Sequence, residues 1–498
     1  MWPFLKKYFK IILISAVVLS VFIFAFIWYL QMQELNDLFE IKANVDYSGE
    51  ESPVVTKLNQ LWDETREFPD SAGLWGKLGM NLYIHGYKSQ SVPIYKKAAS
   101  LDENNFRWIY YCGIALDDLN SEEANIWFAR GRKINPNYPP LCIKLGNRYL
   151  AEGKLSQAKE IFNQAIIKWQ NVPHAFVGLA KISIASNELD SAHADLMKAV
   201  TMAPNFRDAH VLLADVYRRK GEKADAEKEV QLIEKLPPKL DLKDPFFTQL
   251  QNEGVSSFWY QVRGENYLKS GQLDKAVSEY KKVIEMKKEP SFHISLGNVY
   301  EKQNKHRLAI DQYQLALEID PQSTGAMNNL GVVYFKMDKI DTAFSFVRRS
   351  LEINPELKDA YLNLGTFYKQ LNQRSEAINN FKRGMNIAPD DLRFAYQLSW
   401  LLSSSPERHL RDGEEALRLA EYVKEQALSV SPSILDLIAA ALAEKGEFEK
   451  AHENAKTAYQ LAVKTRNNQL AKDIYGRMQL YANNQPFREK NITTNFTN

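Results

Sequence analysis

Cysteine is scarce in this sequence of 498 residues, which contains only Cys112 and Cys142. Two thiols are too few for a disulfide scaffold, and too few for a four-cysteine zinc or iron–sulfur site made by this chain alone. The haem-attachment sequence C-x-x-C-H does not occur. We therefore expect the chain to carry no cofactor of its own.

An excess of charge of either sign is also missing. The sequence has 63 Lys and Arg residues against 61 Asp and Glu residues, and a formal net charge of +2. Because the two signs are almost equal in number, the net charge gives no reason to expect nucleic acid as a partner. With 22 glycines and 19 prolines, the composition excludes a collagen-like or low-complexity chain.

Motifs typical of enzymes are absent as well. The sequence contains no G-x-S-x-G, P-loop, G-x-G-x-x-G or H-E-x-x-H motif. No two of its eight histidines are four residues apart, so none forms a metal-binding pair on one helix face. We predict that the protein is not an enzyme, with no catalytic, cofactor-binding or metal-ligating residues and no small-molecule substrate.

One long apolar run lies near the N-terminus, where residues 11–30 contain no charged residue, proline or glycine. Twenty helical residues span about 30 Å, the thickness of the hydrocarbon core of a bilayer. A cleaved signal peptide is the alternative, but its apolar region is shorter and precedes a small-x-small cleavage site, which this sequence lacks. The sequence therefore predicts a transmembrane helix at residues 11–30.

The charges that flank this run predict its orientation. Lys6, Lys7 and Lys10 precede the run, and Glu34, Asp37 and Glu40 follow it. The positive-inside rule then leaves the N-terminus in the cytoplasm and places the remainder of the chain in the periplasm or an equivalent extracytoplasmic space. The alternative topology would keep the remainder in the cytoplasm.

The rest of the sequence repeats with a period of 34 residues. The clearest copies are HISLGNVY (293–300), MNNLGVVY (327–334) and YLNLGTFY (361–368). Leu and Tyr four residues apart share one helix face, and the glycine between them lets a second helix approach closely. A proline later in each repeat ends the second helix. This pattern resembles the tetratricopeptide repeat (TPR), which implies an all-α superhelical solenoid of helical hairpins.

Extending the repeat predicts about eleven hairpins in two blocks. A break at residues 237–257 contains three prolines, and we interpret it as a joint rather than a catalytic insertion because it holds no cluster of ionisable groups. The predicted divisions are a cytoplasmic N-terminus (1–10), the transmembrane helix (11–30), a linker and capping helix (31–70), block one (71–240), the joint (241–256), block two with a capping helix (257–482) and a disordered tail (483–498).

Two segments carry a more specific resemblance. Residues 73–116 and 411–451 resemble the front and the last repeats of large membrane-anchored bacterial periplasmic TPR proteins, whose role is mostly unassigned. The repeat array, the predicted anchor and the absence of catalytic motifs together indicate a scaffold or adaptor that binds proteins in a cell-envelope complex. Two alternatives remain open, a chaperone-like accessory that binds extended secreted polypeptides and a subunit associated with glycan export or a glycosyltransferase.

TPR proteins bind partners in a concave groove lined by the first helix of each hairpin, and the family pattern implies which positions face it. The predicted groove residues are Asn298, Lys302, Asn328, Asn329, Phe335, Lys336, Asn363 and Lys369. Asn329 and Asn363 occupy the same place in consecutive repeats and resemble a short asparagine ladder, in which amides both donate to and accept from a peptide backbone. Alternatively, Asn before Leu-Gly is simply common in this family, and the lysines are solvated.

Both cysteines fall in first helices, near positions that pack in this family. An oxidising compartment would permit a disulfide between Cys112 and Cys142, provided that their Cα atoms lie within about 7 Å. The alternative is two buried thiols that act as small apolar side chains.

Overall fold

The computed structural model describes residues 2–169, 171–238, 240, 242–427 and 429–491, with side chains from Val17 onward. They form 26 α-helices in two compact units, Met1–Tyr260 and Gln261–Asn498, and the boundary falls inside α14. The helices up to the boundary are α1 (Trp2–Ala43), α2 (Ser52–Glu67), α3 (Ala72–Ile84), α4 (Lys88–Leu101), α5 (Phe106–Asp118), α6 (Glu123–Ile134), α7 (Pro139–Ala151), α8 (Leu155–Lys168), α9 (Pro173–Ala185), α10 (Leu189–Met202), α11 (Arg207–Lys220), α12 (Lys223–Lys235), α13 (Pro245–Asn252) and α14 (Ser257–Lys269).

Unit 2 continues with the same alternation of helix and short turn. Its helices are α15 (Leu273–Met286), α16 (Pro290–Lys302), α17 (His306–Ile319), α18 (Thr324–Lys336), α19 (Ile340–Ile353), α20 (Lys358–Gln370), α21 (Arg374–Ile387), α22 (Leu392–Ser404), α23 (Gly413–Gln426), α24 (Pro432–Glu444), α25 (Phe448–Lys464) and α26 (Asn468–Ala482), with one 3-10 turn at Arg408–Leu410. No strand occurs among the described residues. The prediction of an all-α fold built from repeated helical hairpins is confirmed.

A residue in the left-handed conformation follows the first helix of ten hairpins. The residues are Gly86, Asn120, Gly153, Asn187, Gly221, Gly271, Asn304, Asp338, Asn372 and Gly446. Glycine adopts this conformation without steric cost, and Asn and Asp tolerate it best among the other residues. These residues end each first helix and turn the chain back into the second.

Within a hairpin the two helices approach closely because the repeated glycine leaves room for a side chain of the second helix. At Gly365 in α20, a Cβ atom would lie 2.4 Å from Cε1 of Phe381 in α21. Phe381 is fully buried, so its ring fills the space that a side chain at position 365 would need. The repeated glycine is therefore a packing requirement of the helix seam.

Helix α1 is longer than the predicted span of residues 11–30. By length and composition it is long and apolar enough to cross a membrane, and its apolar side chains from Val17 to Leu30 are exposed. Its C-terminal part packs into unit 1, where the Phe39 ring lies 6.1 Å from that of Trp62 and 5.8 Å from that of Trp75. Residues 31–43, predicted as part of a linker, instead continue this helix.

The two cysteines are buried and free. Burial raises the pKa of both thiols, which keeps them protonated. The structure therefore contains no disulfide between Cys112 and Cys142, and it shows them as small buried side chains of α5 and α7.

Candidate peptide-binding faces of the two units

The first helices of successive hairpins form one face of each unit, which we call the A face. In unit 1 it is built by α3, α5, α7, α9 and α11, and in unit 2 by α16, α18, α20, α22 and α24. All eight predicted groove residues lie on A-face helices of unit 2.

Amide side chains pair between neighbouring A-face helices. The Nδ2 of Asn329 in α18 donates to Oδ1 of Asn298 in α16 at 2.9 Å, and the Nδ2 of Asn363 in α20 donates to Oδ1 of Asn328 in α18 at 2.9 Å. The hydroxyl of Tyr313 also donates to Oδ1 of Asn298, at 2.7 Å. Asn329 and Asn363 are thus each bonded to an amide of the preceding repeat.

The predicted lysines differ in their surroundings. Lys302 and Lys336 are exposed, and Lys336 forms an ion pair with Glu301 of the preceding A-face helix. Lys369 is only partly exposed, and its Nζ lies 3.3 Å from Oε1 of Glu489 and 3.4 Å from Oε1 of Gln397. Lys336 and Lys369 therefore already have acidic partners within the chain.

Two predicted groove residues are buried. Asn328 is 6% exposed and Phe335 is 8% exposed. The Phe335 ring stacks on that of Phe367, with centroids 4.0 Å apart and planes 4° from parallel. Phe335 therefore packs two neighbouring A-face helices together, and its ring is not presented to a partner in this structure.

Part of the predicted disordered tail is ordered against unit 2. The backbone N–H of Glu489 donates to the Ser404 carbonyl at 2.8 Å, and the indole Nε1 of Trp400 donates to Oε1 of Glu489 at 2.8 Å. The Phe487 ring lies 6.1 Å from that of Trp400. The prediction of disorder is therefore wrong for residues 483–491, whereas residues 492–498 lie outside the described residues.

A buried arginine receives the end of this ordered tail. Arg374 is only 3% exposed, and its Nη1 donates to Oε1 of Glu407 at 3.2 Å and to Oδ1 of Asn491 at 3.0 Å. Its Nε also lies 3.9 Å from Oε2 of Glu489. The tail thus supplies polar partners to a cation that would otherwise be costly to bury.

The A face of unit 1 is covered by the chain itself. We call residues 242–259 the inter-block segment; it follows α12 and runs back toward the first hairpin. One carboxylate oxygen of Asp244 accepts a hydrogen bond from the Tyr110 hydroxyl at 2.6 Å, and the other accepts one from Tyr138. Asp244 also caps α13, because its Oδ1 accepts from the Phe247 N–H at 3.0 Å.

Aromatic side chains surround Phe246 in the first turn of α13. Its backbone carbonyl accepts a hydrogen bond from the Tyr111 hydroxyl at 2.8 Å, and its N–H donates to the Tyr138 hydroxyl at 3.3 Å. The rings within 5.2 to 6.3 Å of the Phe246 ring are Phe106, Tyr110, Tyr111 and Tyr138. Both the ring and the backbone of Phe246 are therefore held by side chains of the A face.

The end of the inter-block segment contacts the first hairpin and the helix before it. The Trp259 indole donates to the carbonyl of Ile84 at 3.1 Å. The N–H of Ser257 donates to a carboxylate oxygen of Glu51 at 2.7 Å. The segment thus runs opposite to the order of the repeats, from α7 toward α3 and α2.

A histidine of low basicity also contacts this segment. The Nε2 of His85 lies 3.4 Å from the Val255 nitrogen, in a geometry where the neutral ring accepts the N–H. Burial lowers the pKa of His85 to about 4, against an opposing effect of the Glu51 charge. The ring is therefore neutral, and suited to accept, at neutral pH.

From the sequence alone, residues 241–256 are predicted only as a joint between the two blocks. One local signal was available, since Asp244 followed by Pro245 is a typical helix start with a capping side chain and proline in the first position. That signal locates α13, but it does not reveal that Tyr110 and Tyr138, more than a hundred residues earlier, bind the cap.

A family model described as a tetratricopeptide repeat matches residues 324–357 and 358–391. The chain contains tetratricopeptide repeats. The two matched TPRs are the hairpins α18–α19 and α20–α21, which carry Asn329 and Asn363. A second model, described as the CadC C-terminal domain, matches residues 179–330, which overlap further hairpins of the TPR array.

Similarity to individual TPR-containing chains is weak. The anaphase-promoting complex subunit CDC16 of Saccharomyces cerevisiae is 24% identical over 222 residues, which cover 44% of this chain and 24% of that protein. This chain thus matches about a quarter of the length of that curated relative. We therefore infer the function of the TPR array from the contacts and exposure of the residues on the two A faces.

Solved structures with some similarity include yeast Tom70, Pseudomonas aeruginosa PilF and MamA of Desulfovibrio magneticus. Tom70 has a TM-score of 0.39 at 11% identity, covering 84% of this chain and 97% of that one. PilF has a TM-score of 0.37 at 17% identity, covering 45% and 98%. MamA has a TM-score of 0.31 at 20% identity, covering 33% and 94%.

Proposed function

We propose that the protein is a membrane-anchored scaffold that binds protein or peptide partners along the A face of unit 2. The observation that carries this proposal is the repetition of amide pairs, Asn298 with Asn329 and Asn328 with Asn363, on three consecutive A-face helices. A primary amide has two N–H donors and a carbonyl acceptor, so each pair retains hydrogen-bonding capacity beyond the bond that joins it.

The spacing of these pairs suits an extended peptide. Packed helices lie about 8–10 Å apart, which is close to the length of three residues of extended chain at ~3.3 Å each. One peptide crossing α16, α18 and α20 would therefore meet a partly exposed amide of these pairs on each helix, namely Asn298, Asn329 and Asn363, about every third residue. Because amides recognise backbone groups, this binding would depend weakly on the sequence of the peptide.

Positive charge on the A face of unit 2 adds a preference for acidic partners. The exposed Lys302 and Lys336 lie on neighbouring A-face helices, and Lys336 is already paired with Glu301. A partner with acidic side chains would gain from Lys302 directly and would compete with Glu301 for Lys336. Exposed ion pairs contribute little energy, so we expect these lysines to favour acidic partners over others without adding much to the affinity.

The anchor in this proposal is α1, and its orientation follows from the flanking charges. Lysines precede the apolar stretch and acidic residues follow it. The positive-inside rule then supports a cytoplasmic N-terminus, with both TPR units on the other side of the membrane and available to a cell-envelope complex. Because α1 packs into unit 1 through Leu38 and Phe39, unit 1 would sit directly at the membrane surface.

Site-specific photocrosslinking in native membranes tests the proposal. A photoreactive residue replaces Lys302 on the A face in one strain and Gln314, an exposed residue of the second helix α17, in another. A discrete protein adduct from position 302, absent from position 314, is the expected result. A ladder of many adducts would favour a chaperone-like accessory, and equal adducts at both positions or none at 302 would contradict the proposal.

A further inference from the structure

The inter-block segment lies on the A face of unit 1 in the manner of a bound peptide. We propose that this face is a binding site for peptides that begin an amphipathic helix with Asp, and that the inter-block segment is its resident ligand. The inference concerns unit 1 alone, and it does not depend on what unit 2 binds.

The acidic residue is recognised by two hydroxyl groups. Tyr110 of α5 and Tyr138 at the start of α7 each donate to a different carboxylate oxygen of Asp244. The same carboxylate caps α13. A ligand must therefore place a short carboxylate at the first position before its helix, and an amide or hydroxyl would not accept from both tyrosines while capping the helix equally well.

The next determinants lie on one face of α13. Phe246 enters the ring cluster formed around Tyr110 and Tyr111, and Leu250, four residues later, is 1% exposed. Pro245 and Thr248 are exposed on the other side of the helix. The ligand class is thus Asp as the cap, an aromatic residue two positions later, and a large aliphatic residue four positions after that.

Backbone groups of the segment are also bound by side chains. Tyr111 donates to the Phe246 carbonyl and His85 accepts from the Val255 N–H, and just before the segment His174 contacts the Leu240 carbonyl at 3.1 Å. Recognition of a main chain by side chains is available to any peptide that presents the same groups. The site can therefore accept an equivalent segment from another protein.

The resident segment competes with any such partner. A tethered ligand has an effective concentration in the millimolar range when its linker is short. A free peptide of modest affinity therefore gains access only when the resident segment is weakened. We expect a partner of the same chemistry to bind by exchanging with the inter-block segment.

The test uses the full chain in detergent and a fluorescein-labelled peptide of residues 242–256. Fluorescence anisotropy compares the wild type with the double variant Asp244→Ala, Phe246→Ala, in which the resident segment is weakened and the face is intact. We expect the peptide to bind the double variant at least about 10-fold more tightly than the wild type. Adding Tyr110→Phe to that variant should weaken binding by about 10-fold or more, because one hydroxyl donor to the carboxylate is lost.

A matched control peptide carries alanine at the positions of Asp244 and Phe246. Equal binding of the two peptides, or equal binding of the labelled peptide to the wild type and the double variant, would overturn the proposal. So would the absence of binding to a double variant that keeps the helical circular dichroism of the wild type.

If the double variant fails to fold, photocrosslinking of the wild-type chain tests the same proposal. The wild-type chain is mixed with excess peptide that carries benzoylphenylalanine at the position of Phe246. Exchange at the proposed site predicts crosslinks in the tryptic fragments 98–107, 108–130 and 134–144, which contain the rings that surround Phe246. Crosslinks spread over the chain, or none in these three fragments, would overturn the proposal.

Discussion

Asp244 accepts a hydrogen bond from the hydroxyl of Tyr110 at 2.6 Å, although 134 positions separate the two residues along the chain. Burial, together with the negative charge of this carboxylate, raises the pKa of Tyr110 far above its usual value. The hydroxyl therefore keeps its proton and remains a donor at every physiological pH. This bond connects the inter-block segment to the second hairpin, so the segment is a packed part of unit 1.

Replacing Asp244 by alanine should loosen α13. The variant loses a helix cap, worth about 1 kcal/mol, and charge-assisted hydrogen bonds from Tyr110 and Tyr138, worth about 1.5–3 kcal/mol each in similar sites. We expect the opening free energy of α13 to fall by at least about 2 kcal/mol. Hydrogen exchange followed by mass spectrometry on residues 245–252 measures this change.

The matched control for this variant is Asp412→Ala in unit 2. Asp412 is exposed and caps α23 through the Glu415 N–H at 3.0 Å, without tyrosine partners. Its replacement should cost about 1 kcal/mol in α23 and leave α13 unchanged. If Asp244→Ala costs no more than this control, the tyrosine hydroxyls do not stabilise the segment.

The helix seam gives a second prediction, at Gly365. Alanine there would place a Cβ atom 2.4 Å from the buried Phe381 ring, so the ring or the helix must shift. Overpacking of this kind costs about 1–3 kcal/mol. By contrast, a Cβ at Gly476 in α26 would meet nothing within 4 Å, and Gly476→Ala should stabilise its helix by up to about 1 kcal/mol. Thermal unfolding of the two variants should shift in opposite directions.

Much of the fold could be predicted from the sequence because each hairpin is a local structure. Leu, Gly and Tyr of the first helix, and the proline that ends the second, all act within one repeat of 34 residues. The turn residues follow the same logic, since Asn304 and Asn372 adopt the left-handed conformation that their side chains tolerate.

The surfaces of the A faces could not be predicted in the same way. Phe335 stands at a groove position of the motif, but its ring is buried by Phe367 of the next repeat. Lys369 meets Glu489, and Asp244 meets Tyr110, across more than a hundred residues. Such pairs depend on how separate segments pack, and residue types at a given spacing carry no signal for them.

Acidification should destabilise unit 1 through His85. Its pKa is about 4 in the folded chain and about 6.5 when unfolded. Between these values the unfolded state binds more protons, so the stability contribution is complete above pH 6.5 and declines as the pH falls toward 4. The decline amounts to about 3 kcal/mol at most, since one pKa unit corresponds to 1.36 kcal/mol. Urea unfolding monitored by tryptophan fluorescence measures it, because eight of the nine tryptophans precede residue 261.

Two variants separate His85 from the other groups that titrate in this range. His85→Gln removes the titrating ring and should flatten the stability profile between pH 6.5 and 4. His409→Gln, at an exposed site in the 3-10 turn of unit 2, should leave the slope unchanged. A slope that survives in His85→Gln would assign the pH dependence to other titrating groups, such as Glu51, whose charge acts on His85.

The ordered tail should be released by Trp400→Phe, which keeps a smaller aromatic ring at this position and removes the indole N–H that binds Glu489 at 2.8 Å. A hydrogen bond to a charged group contributes about 1.5–3 kcal/mol, so the open tail should be populated about 10- to 100-fold more. Trypsin cleavage after Arg488 measures this population, because the tail sequence is the same in both chains. Trp127→Phe in unit 1 is the matched control and should leave the cleavage rate unchanged. Equal rates for Trp400→Phe and the wild type would mean that the bond between Trp400 and Glu489 does not hold the tail in place.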